Sequence, residues 1–163
     1  MYYAEAKHAI QMHLSMLGFL TQATMRLTRY TDYAIRVMIY LGYREGHLCS
    51  IREIADTFSI SQNHLMKVVQ DLAAAGFIDT IRGRGGGIRM ATPAVEINLG
   101  QLWRHTEDIA DLLPCSDCIV GRGCGMPKIL SEATAAFVAV FDRYTVADLL
   151  RQKEILRALL SAA

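Results

Sequence analysis

No stretch of the 163 residues approaches the roughly 20 consecutive apolar residues of a membrane helix, so a spanning segment is not expected. Cysteine is scarce: Cys49, Cys115, Cys118 and Cys124 are the whole set. A secreted disulfide scaffold has denser, evenly paired cysteines in a shorter chain, so the pattern points to a reducing, cytoplasmic setting. Low-complexity tracts and internal repeats are missing. So are paired carboxylates, a Ser–His–Asp set or any other catalytic arrangement, and an enzyme is not expected. Charge of one sign is also missing, with a net charge of +1 that by itself implies no partner. What the chain does have is 52% hydrophobic and 20% charged residues, enough to bury a real core and not the balance of a disordered polymer.

The small net charge conceals an uneven distribution. Between Met25 and Thr92 nine Arg/Lys stand against six Asp/Glu, whereas from Pro93 to Ala163 seven stand against nine. The first of these stretches can approach phosphate and the second is repelled by it. Residues 1–24 are set apart as an N-terminal extension. Their apolar segment, Ile10 to Leu20, is broken by Gln11, His13 and Ser15, and no small-x-small cleavage site precedes Met25. That argues against a signal peptide and for an amphipathic arm, or an upstream extension of a reading frame that began at Met25.

Hydrophobic spacing then gives the order of elements. Ala34, Val37, Met38 and Leu41 repeat at helical period behind Thr31, a candidate cap. Arg44 to His47 is a turn. Ser50 opens a short helix, Ile51 to Phe58, with Glu53 placed to complete a capping box. Ser59-Ile60-Ser61 is a tight turn, Ser61 caps a helix from Gln62 to about Ala75, and Gly76 ends it. The period changes at Phe77 to Arg82, a strand; Gly83 to Gly87 turns, and Ile88 to Met90 returns. After Pro93, a helix is predicted over Leu99–Leu112, broken by Pro114. Cys115 to Met126 is a Gly-rich loop, a long helix runs from Pro127 to about Tyr144, and Thr145 caps a last helix reaching Leu160. Two helices, a short turn, a third helix and a hairpin make a winged helix-turn-helix over residues 25–92. Residues 93–163 follow as a cysteine loop and helices. The fold class is mainly α with one small β-hairpin.

Ser61-Gln62-Asn63-His64 opens the second helix of the pair, whose N-terminal residues meet base edges in the major groove. Gln and Asn can bond adenine bidentately, so Gln62 and Asn63 are the base readers, while Ser61, His64 and Lys67 suit phosphate. A polar cap on an ordinary amphipathic helix explains the same residues, and the hairpin decides between the two. Arg82, Arg84 and Arg89 flank a four-glycine tip whose backbone can lie close to DNA. A nucleotide-binding loop would need a helix after the glycines, and Ile88-Arg89-Met90 continues as strand.

Cys115, Cys118 and Cys124 place three soft sulfurs within ten residues, a set suited to zinc or iron–sulfur ligation. Zinc would want a fourth Cys or His nearby, and His105 lies a helix away. A thioredoxin-like Cys-x-x-Cys would need a βαβ setting that is lacking. Unligated redox-active thiols stay open. Cys49, in an apolar run before a helix, reads as core.

The stretches Met25 to Arg36, Ser61 to Lys67 and Arg82 to Gly87 together resemble the Rrf-type iron–sulfur winged-helix regulators, over Met25 to about Leu150. The ending Asp142 to Leu150 resembles the nitric-oxide-sensitive repressors among them. The resemblance implies a homodimer, crossed through the long helix, on an inverted repeat of double-stranded promoter DNA. It implies an iron–sulfur cluster, of four or two irons, on Cys115, Cys118 and Cys124, with Asp32 of the partner subunit as fourth ligand and nitric oxide as signal. The cluster-assembly branch carries a His three residues after its last Cys, where this chain has Pro127. The spacing of Cys115 and Cys118 is shorter than the family's usual one. Asp32 has a second reading, an acidic residue favouring the helix dipole. Trp103 and His105 are packing residues or cluster neighbours. Alternatives to the nitric-oxide repressor are a regulator answering to iron or cluster supply, a thiol-redox or electron-transfer protein, and a colourless zinc-stabilised module. Removing residues 1–24 is expected to leave DNA binding intact, checked by operator titration of the truncated chain.

Overall fold

Thr28, rather than Thr31, starts the first helix of the computed structural model, which describes residues 27–107, 115–120 and 123–161. The Thr28 hydroxyl accepts from the Thr31 N–H and opens α1 (Arg29–Tyr43). Thr31 is buried one turn in and donates its hydroxyl to the Thr106 carbonyl at 3.1 Å, so tertiary packing claims the side chain that local spacing assigned to the cap. α1 buries Ala34, Val37, Met38 and Leu41, the residues its periodicity selects.

α2 (Ile51–Phe58) is capped by Ser50, which accepts from the Glu53 N–H. The Glu53 carboxylate returns to the Ser50 hydroxyl at 3.1 Å. Ser59 takes a left-handed conformation at φ 52° and turns the chain into α3 (Gln62–Ala74). Leu65, Val68, Val69 and Leu72 form the buried stripe of α3, and Gly76 at φ 81° ends it. Ser61 sits at the N-cap position but its hydroxyl makes no capping bond.

β1 (Ile78–Ile81) and β2 (Gly87–Met90) pair antiparallel, Ile78 opposite Met90 and Ile81 opposite Gly87. Cys49 joins them in a two-way bridge to Ile88, at 2.9 and 2.8 Å. That bridge brings backbone so near Gly87 that a Cβ there would lie 2.7 Å from the Cys49 carbonyl oxygen. A Cβ on Gly86 would lie 2.2 Å from the Ile81 carbonyl oxygen. Two glycines of the tip are therefore demanded by the fold itself.

α4 (Leu99–Thr106) is shorter than the Leu99–Leu112 expectation, whose last residues lie outside the described ones. Glu107 leaves the helix in an extended conformation because its carboxylate turns back to the start of α1. A 3-10 turn covers Cys115–Asp117. α5 (Met126–Phe141) begins one residue before Pro127 and stops three short of Tyr144. The predicted last helix is two pieces, α6 (Val146–Leu149) and α7 (Lys153–Ser161). Thr145 and Asp148 close a capping box on α6, and buried Leu150 folds over Gly42 of α1, interrupting the helix.

The stretch Asp142 to Leu150 is a joint. The Leu99 N–H donates to the Tyr144 carbonyl and the Val146 N–H to the Ile97 carbonyl, both at 2.9 Å. Residues from both sides of Pro93 share one core, among them Val37, Leu41, Cys49, Ile54, Leu72, Leu102, Val146 and Leu150. Among the described residues no helix is long and apolar enough to cross a membrane.

Candidate DNA interface and cysteine loop

α3 turns its apolar stripe inward, which leaves Ser61, Gln62, Asn63, His64 and Lys67 exposed on the opposite side. Ser61, having no cap to make, keeps its hydroxyl available at the helix N-terminus, where the helix dipole favours a phosphate. Two further residues share this face, Met66 and Gln70, both exposed and spaced four residues from Gln62 and from each other. The sequence reading passed over Met66 as one more apolar residue. Its spacing from Gln62 was the signal available, and a thioether on a groove-facing surface offers contact to a thymine methyl.

The wing divides its arginines. Arg89 lies opposite Asp79 across the hairpin and donates Nε and Nη2 to that carboxylate at 3.3 and 3.2 Å. Arg82 and Arg84, at the tip, meet no carboxylate among the described residues. The tip arginines are thus the ones held ready for phosphate, and Arg89 would have to leave or share Asp79 to reach DNA. Arg84→Ala should weaken operator binding and reduce the slope of log K against log salt by about one, read by titration at several salt concentrations.

Between α4 and α5, Cys115 is half-buried and Cys118 and Cys124 are exposed, and none of the three is in a disulfide. The Met126 N–H, at the start of α5, donates to the Cys124 sulfur at 3.4 Å, the kind of contact that steadies a ligating thiolate. Among the described residues no three His, Cys, Asp or Glu side chains converge on a metal position. The donor set still fits an iron–sulfur group: three sulfurs on one loop, with room for a fourth ligand from elsewhere. Asp32 lies in the first turn of α1, half-exposed, and accepts Arg36 Nε on both oxygens at 3.0 Å. Arg36 also lies over the Phe58 ring at 5.7 Å. Cys49 is buried in the core, and burial pushes its thiol up to about 11, which sets it apart from the loop cysteines.

Trp103 and His105 take separate places. Trp103 stacks on Phe141 at 4.7 Å and meets Phe137 edge-on at 5.2 Å, joining α4 to α5. His105 Nε2 lies 2.7 Å from Asp71 Oδ2 on α3, and the Tyr30 hydroxyl donates to the same oxygen. The Tyr30 hydroxyl first, and His105 after it, hold the Asp71 carboxyl below its usual range against the opposing effect of burial. A carboxylate only accepts, so His105 carries its proton on Nε2 here.

Residues 27–152 match the model of Rrf2, described as an iron-dependent transcriptional regulator. The chain belongs to the Rrf2 family. It is 46% identical over 142 residues to the HTH-type transcriptional regulator NsrR of Bacillus subtilis (strain 168), covering 83% of this chain and 97% of that one. NsrR of Shouchella clausii is 44% identical over 142 residues, 83% of this chain and 95% of its own. Among solved structures, CymR, the global cysteine regulator of B. subtilis, superposes with a TM-score of 0.61 at 26% identity, over 77% of this chain and 96% of its own. T. potens IscR superposes with a TM-score of 0.63 at 22% identity, over 79% and 88%. This Rrf2 protein is a DNA-binding transcription regulator with the winged-helix fold, and its relatives are transcription regulators too.

Proposed function

We propose that this protein is a cytoplasmic, homodimeric repressor that carries an iron–sulfur cluster on Cys115, Cys118 and Cys124 and leaves its operator when nitric oxide arrives. The observation that carries the reading is the trio of unbridged thiols on the loop between α4 and α5, two of them open to solvent. The kinship with proteins named NsrR supports the choice of signal. Asp32 of the partner subunit completes the ligand set, released from Arg36 for the purpose. The homodimer is supported by α5, whose one buried residue is Val138, while Met126, Ile129 and Val140 stand exposed. Helices of this kind hide such a face against a second copy.

When bound, the cluster supplies iron that reacts with nitric oxide. The chain supplies the rest. The cysteine loop is tied to α4 on one side and to α5 on the other, and Asp32 ties the loop of one subunit to the first helix of its mate. Losing that tie changes the spacing of the two α3 helices on an inverted repeat. A change that costs about 3 kcal/mol weakens operator binding about a hundredfold.

Anaerobic purification, followed by visible absorption and operator titration before and after stoichiometric nitric oxide, tests the reading. A brown protein whose sulfur-to-iron bands bleach while operator affinity falls about a hundredfold is the expected result. A colourless protein, or unchanged operator affinity, would sink it. The family's description as iron-dependent favours one alternative, a regulator answering to iron or cluster supply. There an iron chelator releases the operator and nitric oxide does not.

A further inference from the structure

Five consecutive residues at the end of α4 each hold a different neighbour. Trp103 stacks on Phe141 of α5, and Arg104 forms a two-pronged pair with Asp142 at 2.6 Å for each prong. His105 reaches Asp71 on α3 at 2.7 Å, and the Thr106 carbonyl accepts from Thr31 on α1 at 3.1 Å. Glu107 accepts from the Thr28 N–H and hydroxyl at 2.9 and 3.1 Å. The chain then runs from Glu107 to Cys115, eight positions on.

We infer that His105 and Asp71 are positioning residues that pass the state of the cysteine loop to the recognition helix α3. The inference rests on the DNA-reading role of α3 and deepens the sensing proposal by giving it a route. His105 to Asp71 is the one side-chain hydrogen bond between α4 and α3 among the described residues. The oxygen that receives it also receives the Tyr30 hydroxyl, two residues before Asp32. A displacement of the cysteine loop, or of the first turn of α1, therefore arrives at a single carboxylate on α3.

Asp71 stands nine residues from Gln62, about 14 Å along the helix at the usual rise. A shift of α3 at its Asp71 end tilts its reading end with it, since the helix is one hydrogen-bonded rod. Phe77, which follows the end of α3, packs its ring 5.7 Å from His105, so the start of the wing moves with the same contact. A static brace and a transmitting contact share this geometry. They differ in whether α3 responds when the loop is altered.

The test compares wild type with His105→Leu, which cannot bond Asp71, His105→Gln, whose amide can still donate to it, and Asp71→Asn. Hydrogen exchange of residues 62–74 is measured in the cluster-free, full-length protein before and after iodoacetamide alkylation of the loop cysteines. Cys49, buried with a thiol pushed up to about 11, is spared. Alkylation is expected to change exchange in this segment about threefold or more in wild type, not at all in His105→Leu, and again in His105→Gln. An equal change in wild type and His105→Leu, or no change in wild type, overturns the inference. Should His105→Leu fail to fold by its thermal transition, Asp71→Asn decides in its place by the same comparison, its response weakened if the inference holds and undiminished if it does not. The second readout is the ratio of operator Kd values for nitric-oxide-treated and cluster-loaded protein, expected to drop from about a hundredfold to about tenfold or less in His105→Leu. The exchange result needs neither cluster nor nitric oxide. If it holds while the wild-type Kd ratio is one, the sensing proposal has failed and the route through His105 stands.

Discussion

Replacing Cys118 by alanine is expected to give a folded, colourless protein whose operator affinity no longer responds to nitric oxide. The Cys118 side chain is exposed, so its loss removes a ligand without opening a cavity, and the thermal transition should stay within a few degrees of wild type. Cys49→Ala is the control that separates ligation from packing. Cys49 is buried against β2 through its bridge to Ile88 and makes no approach to the cysteine loop. Truncating it should cost on the order of 1–2 kcal/mol of stability through the space it leaves, with colour and iron content unchanged. Iron and acid-labile sulfide, visible absorption and thermal unfolding on the two variants check the contrast. A Cys118→Ala protein with full iron would take that residue out of the ligand set, and a colourless, folded Cys49→Ala protein would bring an unexpected one in.

Most of the scaffold was legible because local signals agreed with the tertiary outcome. Ala34, Val37, Met38 and Leu41 repeat at helical spacing and all four are buried in α1. The glycine tip turned where its composition said it would, between strands whose side chains alternate. The misjudged places are those where a residue's partner lies far along the chain. Thr31 looked like a cap, but Thr106, 75 positions away, takes its hydroxyl, and Thr28 does the capping. α4 looked longer because nothing local says that the Glu107 carboxylate belongs to Thr28. The last helix looked continuous because Leu150 is a good helix former, and only its place against Gly42 explains the break.

The candidate site was legible to a different degree. The residue types of the DNA face could be read from their order on α3, and the cysteine trio from its spacing. The pairing of Arg89 with Asp79 follows from hairpin register, which the sequence alone leaves unset by a residue either way. The meeting of Tyr30, Asp71 and His105 draws on three helices, and no periodicity within one of them could announce it. Asp32 remains engaged with Arg36 inside its own helix, so its service to a partner subunit depends on the resemblance to other members of the family rather than on its surroundings.

The double variant Gln62→Ala with Asn63→Ala should abolish discrimination between operator and unrelated DNA while leaving non-specific binding in place. Both side chains are exposed at the first two positions of α3, beyond the buried stripe that begins at Leu65, so the fold has no use for their amides. A good bidentate amide–adenine contact is worth about 1–3 kcal/mol of discrimination, so two per subunit give a large factor in a dimer. Phosphate contacts do not depend on them. Lys67 on α3 and Arg82 and Arg84 at the wing tip keep the charge that supplies the sequence-independent part of binding, and the salt slope of the double variant should match wild type. Titration of a selected operator and a scrambled duplex, each at several salt concentrations, separates the two contributions. Loss of operator affinity with an unchanged slope places Gln62 and Asn63 on base edges. A reduced slope with discrimination intact would instead move these amides to the phosphate backbone and leave Met66 and Gln70, farther along the same face, as the base readers.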